Sequence, residues 1–219
     1  MKKNLIIFTL FTSILSFSQA NVEWTGAGAD NNWSTTGNWS GNSLPSDGDN
    51  VYSLFDDHTI VIDQNVDLNR ISNISGTINL VINAGKSLKV DIYAHTETGT
   101  ITLNSDSDEF ASFLSGNSVN NTLIYNRWVN SVSNGSTGWD LVGSPASGAT
   151  ISSVVGDSDL ATNGSSPTTY ALGSFDNSNL SWTNINENDT SGTLTSGKGY
   201  QMATTSGGNI TFQGSRLQL

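Results

Sequence analysis

Hydrophobic and polar residues alternate in short runs along most of the chain after residue 20. The stretch TINLVINAGKSLKVDIY, residues 77–93, contains two such runs separated by the turn NAGK. Their apolar positions are Ile78, Leu80 and Ile82, followed by Leu88, Val90 and Ile92. A period of two predicts half-buried β-strands. No apolar pattern persists at helical spacing for three turns, so the chain is predicted to be all-β.

The spacing of these runs leaves two arrangements open. The two triplets lie ten residues apart, and further pairs occur at Ile60 and Ile62 and at Ile101 and Leu103. A spacing near ten fits an antiparallel meander. It equally fits successive faces of a solenoid whose coil is about twice that length. The alternation alone does not distinguish them.

The composition of the strands changes near Gly116. Beyond it, aromatic residues and longer strands replace the small aliphatic runs, and loops of Gly, Asn and Ser separate them. These strands can pair as hairpins around Trp128, Trp139, Tyr170, Phe175, Trp182, Tyr200 and Phe212. We therefore expect a β-sheet or β-sandwich-like module over residues 117–219.

Three of the six tryptophans lie close together, in WTGAGADNNWSTTGNWSGNSLPSDGDNV. Trp24, Trp33 and Trp39, with Asn32 and Asn38, could form an exposed platform for a glycan. Burial of one tryptophan, however, contributes several kcal/mol, comparable to the net stability of a small domain. A solenoid also has an open end that must be covered. We therefore favour a cap role for residues 21–57, with ligand contact as the alternative.

Residues 1–20, MKKNLIIFTLFTSILSFSQA, have the basic start, apolar run and small residues of a secretory signal peptide. We expect cleavage after Ala20 and export to the cell surface or medium, with no membrane span in the product. The chain has no cysteine, which excludes a lipoprotein anchor.

Removal of Lys2 and Lys3 leaves six basic against nineteen acidic residues, a net charge of −13. Such a charge opposes binding to nucleic acid. We expect a monomer.

The motifs W-x-G, W and N-W, followed by Pro and Asp before a strand, resemble the mature starts of secreted, adhesin-like surface proteins of Bacteroidetes, especially flavobacteria. The similarity continues through GTINLVINAGKSLKVDI into TLIYNRWV, GWDLVGSP, LSWTNI and LTSGKGYQM. It implies a short right-handed parallel β-helix over residues 58–116, followed by the β module. Such proteins usually end in a type IX sorting domain, which the printed sequence does not contain. The shared motifs are structural and mark no catalytic residue.

Acidic clusters supply the oxygen ligands that calcium takes. They are Asp47 with Asp49, Asp56 with Asp57, and Asp106 with Asp108 and Glu109. The last three are the candidate metal ligands. The twelve-residue calcium loop with its terminal Glu is missing, so we favour turn-forming roles, with a structural calcium as the alternative. No other cofactor is expected.

Catalytic constellations are weak in this chain. A hydrolytic triad would have to use His58 or His95, the latter near Glu97. A β-helix lyase would depend on Arg70, Lys86 or Lys89, and a glycosidase on two carboxylates across a cleft. Gly197 and Gly199 around Lys198 predict a turn rather than a phosphate loop.

The sequence therefore predicts a non-catalytic adhesin-like or scaffolding protein that contacts a glycan or another surface protein. A carbohydrate-binding accessory of a polysaccharide-degrading system is the alternative, and a lyase or glycosidase fragment is the second. Ligand contact would involve Trp24, Trp33, Trp39 and Asn38.

Overall fold

The computed structural model describes residues 19–54, 56–94, 99–117, 119, 121–132, 137–157 and 159–216. Nearly all of the predicted signal peptide lies outside these residues. The first nine strands are β1 (Asn21–Glu23), β2 (Asn50–Ser53), β3 (His58–Ile62), β4 (Val66–Asn73), β5 (Ile78–Ile82), β6 (Ser87–Ala94), β7 (Thr100–Asn104), β8 (Ser112–Ser115) and β9 (Thr122–Val129). The remaining elements are β10 (Asp140–Gly143), β11 (Ala146–Ser147), α1 (Ile151–Val155), β12 (Thr169–Asp176), β13 (Ser181–Asn186), β14 (Gly199–Met202) and β15 (Gly208–Arg216).

The first part of the chain is a parallel β-solenoid of about three turns. The chain passes alternately between two sheets, one with the order β1-β2-β4-β6-β8 and the other containing β3, β5, β7 and β9 as neighbours. Every pairing among these strands is parallel. A meander would pair consecutive strands in antiparallel fashion, so the solenoid is the correct alternative.

Columns of aliphatic side chains form the solenoid core. Ile60 lies beside Leu80, Leu80 beside Ile101, and Ile101 beside Leu123, so successive coils contain 20, 21 and 22 residues. These side chains are buried. Burial of each contributes about 1.5–3 kcal/mol, which explains how a chain without cysteines, and so without disulfides, can hold this fold.

Asparagine side chains connect neighbouring coils. Asn69 donates its amide N–H to Asn50 Oδ1 at 2.7 Å, and Asn50 donates to Asn21 Oδ1 at 3.0 Å. Asn126 likewise donates to Asn104 Oδ1 at 2.9 Å. Asn21 with Asn50 and Asn104 with Asn126 are register partners, whereas Asn69 precedes Arg70, the partner of Asn50. The hydrogen bonds satisfy these amides between one coil and the next.

The segment preceding β2 covers both open edges at the N-terminal end of the solenoid. β1 adds a parallel strand beside β2 in the first sheet. On the second sheet, Trp33 donates its backbone N–H to Val61 O at 2.8 Å, and Val61 donates to Asn31 O at 2.9 Å. The outer edges of β2 and β3 are therefore paired within the chain, and only the three-residue β1 ends the first sheet, which reduces the template for aggregation.

β9 belongs to the solenoid and also begins the C-terminal module. It pairs in parallel with β7 on one side and in antiparallel fashion with β15 on the other, and β11 continues the same sheet. A separate antiparallel sheet has the order β10-β14-β12-β13. Side chains from this sheet, from β9, β15 and α1 share one core that includes Val129, Val154, Leu172, Met202 and Phe212.

The predicted all-β fold class is confirmed, with a Trp-capped solenoid followed by a sandwich-like module. The boundary predicted near Gly116 falls between β8 and β9, and the sheet that contains β9 extends across it. Among the described residues, none of the helices has the length and apolar character needed to cross a bilayer.

Candidate ligand-binding face

The three N-terminal tryptophans form a buried plug. Trp24, Trp33 and Trp39 are 1%, 1% and 2% exposed and belong to the solenoid core. Trp39 meets both other rings edge to face, with centroid distances of 4.9 Å to Trp24 and 4.5 Å to Trp33. Its indole N–H donates to Trp33 O at 2.8 Å. The predicted cap is therefore confirmed.

The same burial leaves these rings no face on which a sugar could stack. Asn38 is also buried, and its side chain is engaged within the cap. Its Oδ1 accepts from Gly28 N at 2.9 Å, and its Nδ2 donates to Asn32 O at 2.9 Å. The four residues predicted for ligand contact thus serve packing and hydrogen bonding inside the protein.

The acidic loop at residues 106–109 is a local turn. Asp106 Oδ1 accepts backbone N–H groups from Asp108 at 2.9 Å and from Glu109 at 2.8 Å. These hydrogen bonds lower the pKa of Asp106, since they stabilise its charged form. Glu109 lies over Gly85, where an added Cβ would collide with its carboxylate. Within the described ranges, no group of three or more His, Cys, Asp or Glu side chains converges on a common point.

The other acidic and basic candidates are dispersed. Asp49 is buried and accepts backbone N–H groups from Ala20 and Ser46, and Asp57 accepts from Thr77 N. Lys89 pairs with Asp67 at 2.8 Å on the solenoid surface. His95 and Glu97 lie outside the described residues.

A different surface combines exposed aromatic, amide and glycine residues. It is the side of the β10-β14-β12-β13 sheet that points away from the core, and we call it the outer face. Strand alternation sends Val142, Leu172 and Met202 inward. The opposite positions define the outer face: Leu141, Gly143, Gly173, Phe175, Trp182, Asn184, Gly199 and Gln201.

Cross-strand pairing arranges the outer face in two rows. Gly143 pairs with Gly199, and Phe175 pairs with Trp182. The second row runs from Leu141 to Gln201, then to Gly173 and finally to Asn184. All eight side chains are uncharged. The face therefore offers contact area and hydrogen bonds without a fixed charge.

Phe175 and Trp182 stand on the outer face as an exposed aromatic pair. They are 39% and 41% exposed, and their ring centroids lie 5.3 Å apart with an interplanar angle of 66°. In such an edge-to-face arrangement each ring stabilises the orientation of the other. Large rings left this exposed in a sheet are available to a ligand.

Beside the aromatic pair, two exposed glycines leave the backbone bare. A Cβ added at Gly199 would meet no atom within 4 Å, and one at Gly143 would meet only Lys198 O at 3.8 Å. Neither glycine has a positive φ. Crowding and backbone conformation therefore do not demand glycine here, although glycine weakens a strand. An approach of a ligand to the backbone would explain both positions.

An amide pair crosses the middle of the outer face. Gln201 Nε2 donates to Asn184 Oδ1 at 2.7 Å. This bond passes over Gly173, where a Cβ would collide with Asn184 Oδ1. Among the described residues, no further hydrogen-bond partner is found for Asn184 Nδ2 or Gln201 Oε1. A donor and an acceptor thus remain for a ligand.

A groove of about 220 Å³ adjoins the outer face at Asn184. We call it the Trp139 groove. Its walls are Val132, Trp139, Ala161, Thr162, Asn163, Thr169, Tyr170, Ala171 and Asn184. Segment 161–163 forms one wall and is fixed by hydrogen bonds from Ala161 N to Ala203 O at 3.0 Å and from Ala171 N to Ala161 O at 2.8 Å.

The hairpin between β12 and β13 contains an unusual exposed leucine. Leu180 has φ +50° and is 78% exposed. A left-handed backbone is unfavourable for a residue with a Cβ, and Leu180 gains no burial in return. The turn is fixed by Asp176, whose Oδ1 accepts from Ser178 Oγ at 2.6 Å and Ser178 N at 2.8 Å. These bonds lower the pKa of Asp176.

The sequence interpretation grouped the aromatics of the module without separating the two sides of the sheet. The signal was present in GWDLVGS, where Trp139, Leu141 and Gly143 alternate with Asp140 and Val142. The register between strands was needed to align this side with Phe175 and Trp182.

Comparison of the chain with protein-family models, with curated proteins and with solved structures finds no match.

Proposed function

We propose that this chain is a non-catalytic, secreted or cell-surface adhesin-like protein that binds neutral extracellular glycans through the outer face. One observation carries the proposal: an exposed aromatic pair stands beside bare backbone and a partly unsatisfied amide pair, on a face without charged side chains.

The chemistry of this face matches that of a sugar ring. A pyranose presents apolar C–H groups on its flat side and hydroxyls around its rim. Phe175 and Trp182 supply apolar surface for the flat side. Asn184 Nδ2 and Gln201 Oε1 supply one donor and one acceptor for the hydroxyls. The glycines allow the ring to approach the sheet closely.

The charge of the whole chain favours a neutral ligand. At −11, the protein repels anionic polymers, and the outer face carries no basic side chain to offset that repulsion. The resemblance to adhesin-like surface proteins supports an extracellular role, in which the solenoid serves as a rigid base for the module.

The test is a binding assay of the protein against a panel of neutral and acidic polysaccharides, by affinity electrophoresis and calorimetry. We expect saturable binding to at least one neutral glycan, weakened roughly tenfold or more in Trp182→Ala. Phe110→Ala is a matched control, because Phe110 is 47% exposed but lies on the solenoid. Equal loss in both variants, or no binding to any neutral glycan, would reject the proposal.

Gly199→Val provides a second, sharper variant. The added side chain meets open space, so the fold should be retained. Valine also favours a strand more than glycine does. We expect unchanged or higher thermal stability together with weaker glycan binding. Retained affinity would show that bare backbone at Gly199 has no role in binding.

The same face would serve a carbohydrate-binding accessory of a polysaccharide-degrading system, which is the second candidate. That role differs in its partner, a degradative enzyme. Addition of this protein would then accelerate hydrolysis of the bound polysaccharide by such an enzyme, whereas an adhesin-like protein would leave the rate unchanged or lower it by occupying the substrate.

A further inference from the structure

The Trp139 groove and the outer face share Asn184. Asn184 lines the groove and also accepts the hydrogen bond from Gln201 on the outer face. Trp182 lies two residues before Asn184 on the same side of β13, a separation of about 7 Å along the strand. Asn184, Gln201 and Trp182 are all uncharged.

We propose that the groove and the outer face are two subsites of one elongated site for a linear, neutral oligosaccharide. This inference rests on the proposed function and specifies its ligand. The chain of sugars runs along β12 and β13, with one end in the Trp139 groove and the following rings over Asn184, Phe175 and Trp182.

The size of the groove supports this division. A volume of about 220 Å³ is below the roughly 300–1,000 Å³ of pockets that enclose a drug-sized ligand. The groove therefore holds about one sugar ring. A ligand that also contacts Trp182 must extend beyond it, which a disaccharide or longer chain does and a monosaccharide does not.

The composition of the groove matches that of the outer face. Trp139 and Tyr170 are half-buried, so each ring presents one accessible part to the groove. Asn163 Oδ1 is occupied by backbone N–H groups of Ser165 at 3.1 Å and Thr169 at 2.9 Å. These bonds fix the Asn163 amide, and no partner is found for its Nδ2 among the described residues. Aromatic surface and amide donors thus recur at both ends of the proposed site.

The segment that walls the groove is held by the sheet. Ala161, Ala171 and Ala203 are buried together, with Val132 and Trp139 packed against them. Thr162 forms a bridge with Tyr170. Because these contacts order the groove without a ligand, little ordering is required on binding.

The experiment measures affinity against oligosaccharide length. Oligosaccharides of increasing length, prepared from a neutral polysaccharide that the full chain binds, are titrated by calorimetry into the wild-type protein, Trp139→Leu, Thr162→Trp and Trp182→Ala. Thr162 is exposed at the groove, so Thr162→Trp should fill the groove without disturbing the core. This variant keeps the test valid if Trp139→Leu lowers the stability of the protein.

We expect wild-type affinity to rise roughly tenfold when the oligosaccharide becomes long enough to reach both subsites. Thr162→Trp and folded Trp139→Leu should lose this increase and retain wild-type affinity for the shorter ligands. Trp182→Ala should bind every length more weakly. Wild-type length dependence in Thr162→Trp would overturn the two-subsite inference and leave the proposed function standing. Absence of binding to any neutral glycan by the wild type would overturn both.

Discussion

Trp39 lies at the centre of the N-terminal cap, where it contacts two other rings and donates its indole N–H to Trp33 O. Trp39→Ala should destabilise the protein by about 3–5 kcal/mol, because it leaves a cavity and an unpaired carbonyl. Chemical denaturation monitored by circular dichroism measures this loss. Trp182→Ala, at an exposed ring, should lose less than about 1 kcal/mol. Equal losses would show that the cap is not tightly packed.

Leu180 combines a left-handed backbone with a highly exposed side chain. Leu180→Asn should raise stability by up to about 1 kcal/mol, because asparagine tolerates this conformation better. Strained residues of this kind occur at functional sites. We therefore expect the same variant to bind glycan more weakly, since it removes apolar surface two residues from Trp182. Thermal unfolding and calorimetric titration check the two effects, and a loss of stability would contradict the strain argument.

The lowered pKa values of Asp106 and Asp176 predict that the protein loses stability in acid. Their pKa values lie below the ordinary 3.8, through backbone N–H groups at Asp106 and chiefly through Ser178 at Asp176. A lowered folded-state pKa adds stability above the unfolded value and loses it as the pH falls through the folded value. The melting temperature should therefore fall below about pH 4. In the double variant Asp106→Asn, Asp176→Asn, the difference in melting temperature between pH 7 and pH 3 should be smaller than in the wild type. An unchanged difference would show that other groups cause the acid sensitivity.

Burial of the tryptophan cluster could be predicted from the sequence because burial of one tryptophan contributes several kcal/mol and the open end of a solenoid must be covered. The outer face could not be predicted in the same way. Phe175 and Trp182 are aromatic, as is the buried Tyr200 in the same sheet, and only the pairing register places the first two on the opposite side of that sheet.

At the scale of elements, the acidic residues of loop 106–109 could either form a turn or bind calcium, and the two roles predict different responses to salt. Because backbone N–H groups already occupy Asp106 Oδ1, calcium and sodium should raise or lower the melting temperature alike at matched ionic strength. Differential scanning fluorimetry in both salts makes this comparison. A calcium-specific rise, abolished in Asp106→Asn with Asp108→Asn, would instead reveal a binding site, because binding adds stability beyond screening.

The positions of the strands could be predicted from the alternation of apolar and polar residues, whereas the pairing between strands could not. The pattern around Ile78 and Leu88 indicates which side of each strand faces the core. A meander and a solenoid would show the same pattern. The distinction depends on whether Leu80 lies beside Leu88 or beside Ile60 and Ile101, and backbone hydrogen bonding decides it. The two-residue period of a strand does not indicate which other strand it pairs with.

At the scale of the molecule, β9 joins the solenoid and the module through one continuous sheet. We expect the two parts to unfold in a single cooperative transition, because loss of β9 exposes both cores. Leu80→Ala, in the solenoid core, should lower the midpoint reported by hydrogen exchange at β12 and β14 as much as that at β5. Two separated midpoints, with only the solenoid affected, would show independent units.

The change of composition near Gly116 indicated two parts, and the structure contains a solenoid and a module. The sequence did not indicate that β9 would take part in both. Its residues alternate like those of the other solenoid strands, and its partners in β15 lie 79 to 93 residues later, from Val129 with Gly208 to Thr122 with Ser215. A pairing over that distance leaves no trace in a local pattern.

Because β9 closes the stack of coils in the same register that the preceding coils use, the solenoid can change length without redesign of its ends. An inserted coil of about 21 residues between β5 and β7 would add one strand to each sheet and move the module away from the cap by about 4.8 Å. The tryptophan plug and the β9–β15 pairing would be unchanged. The distance between the outer face and the N-terminal cap is therefore a quantity that evolution can adjust in fixed increments, by duplication of a short segment of the gene.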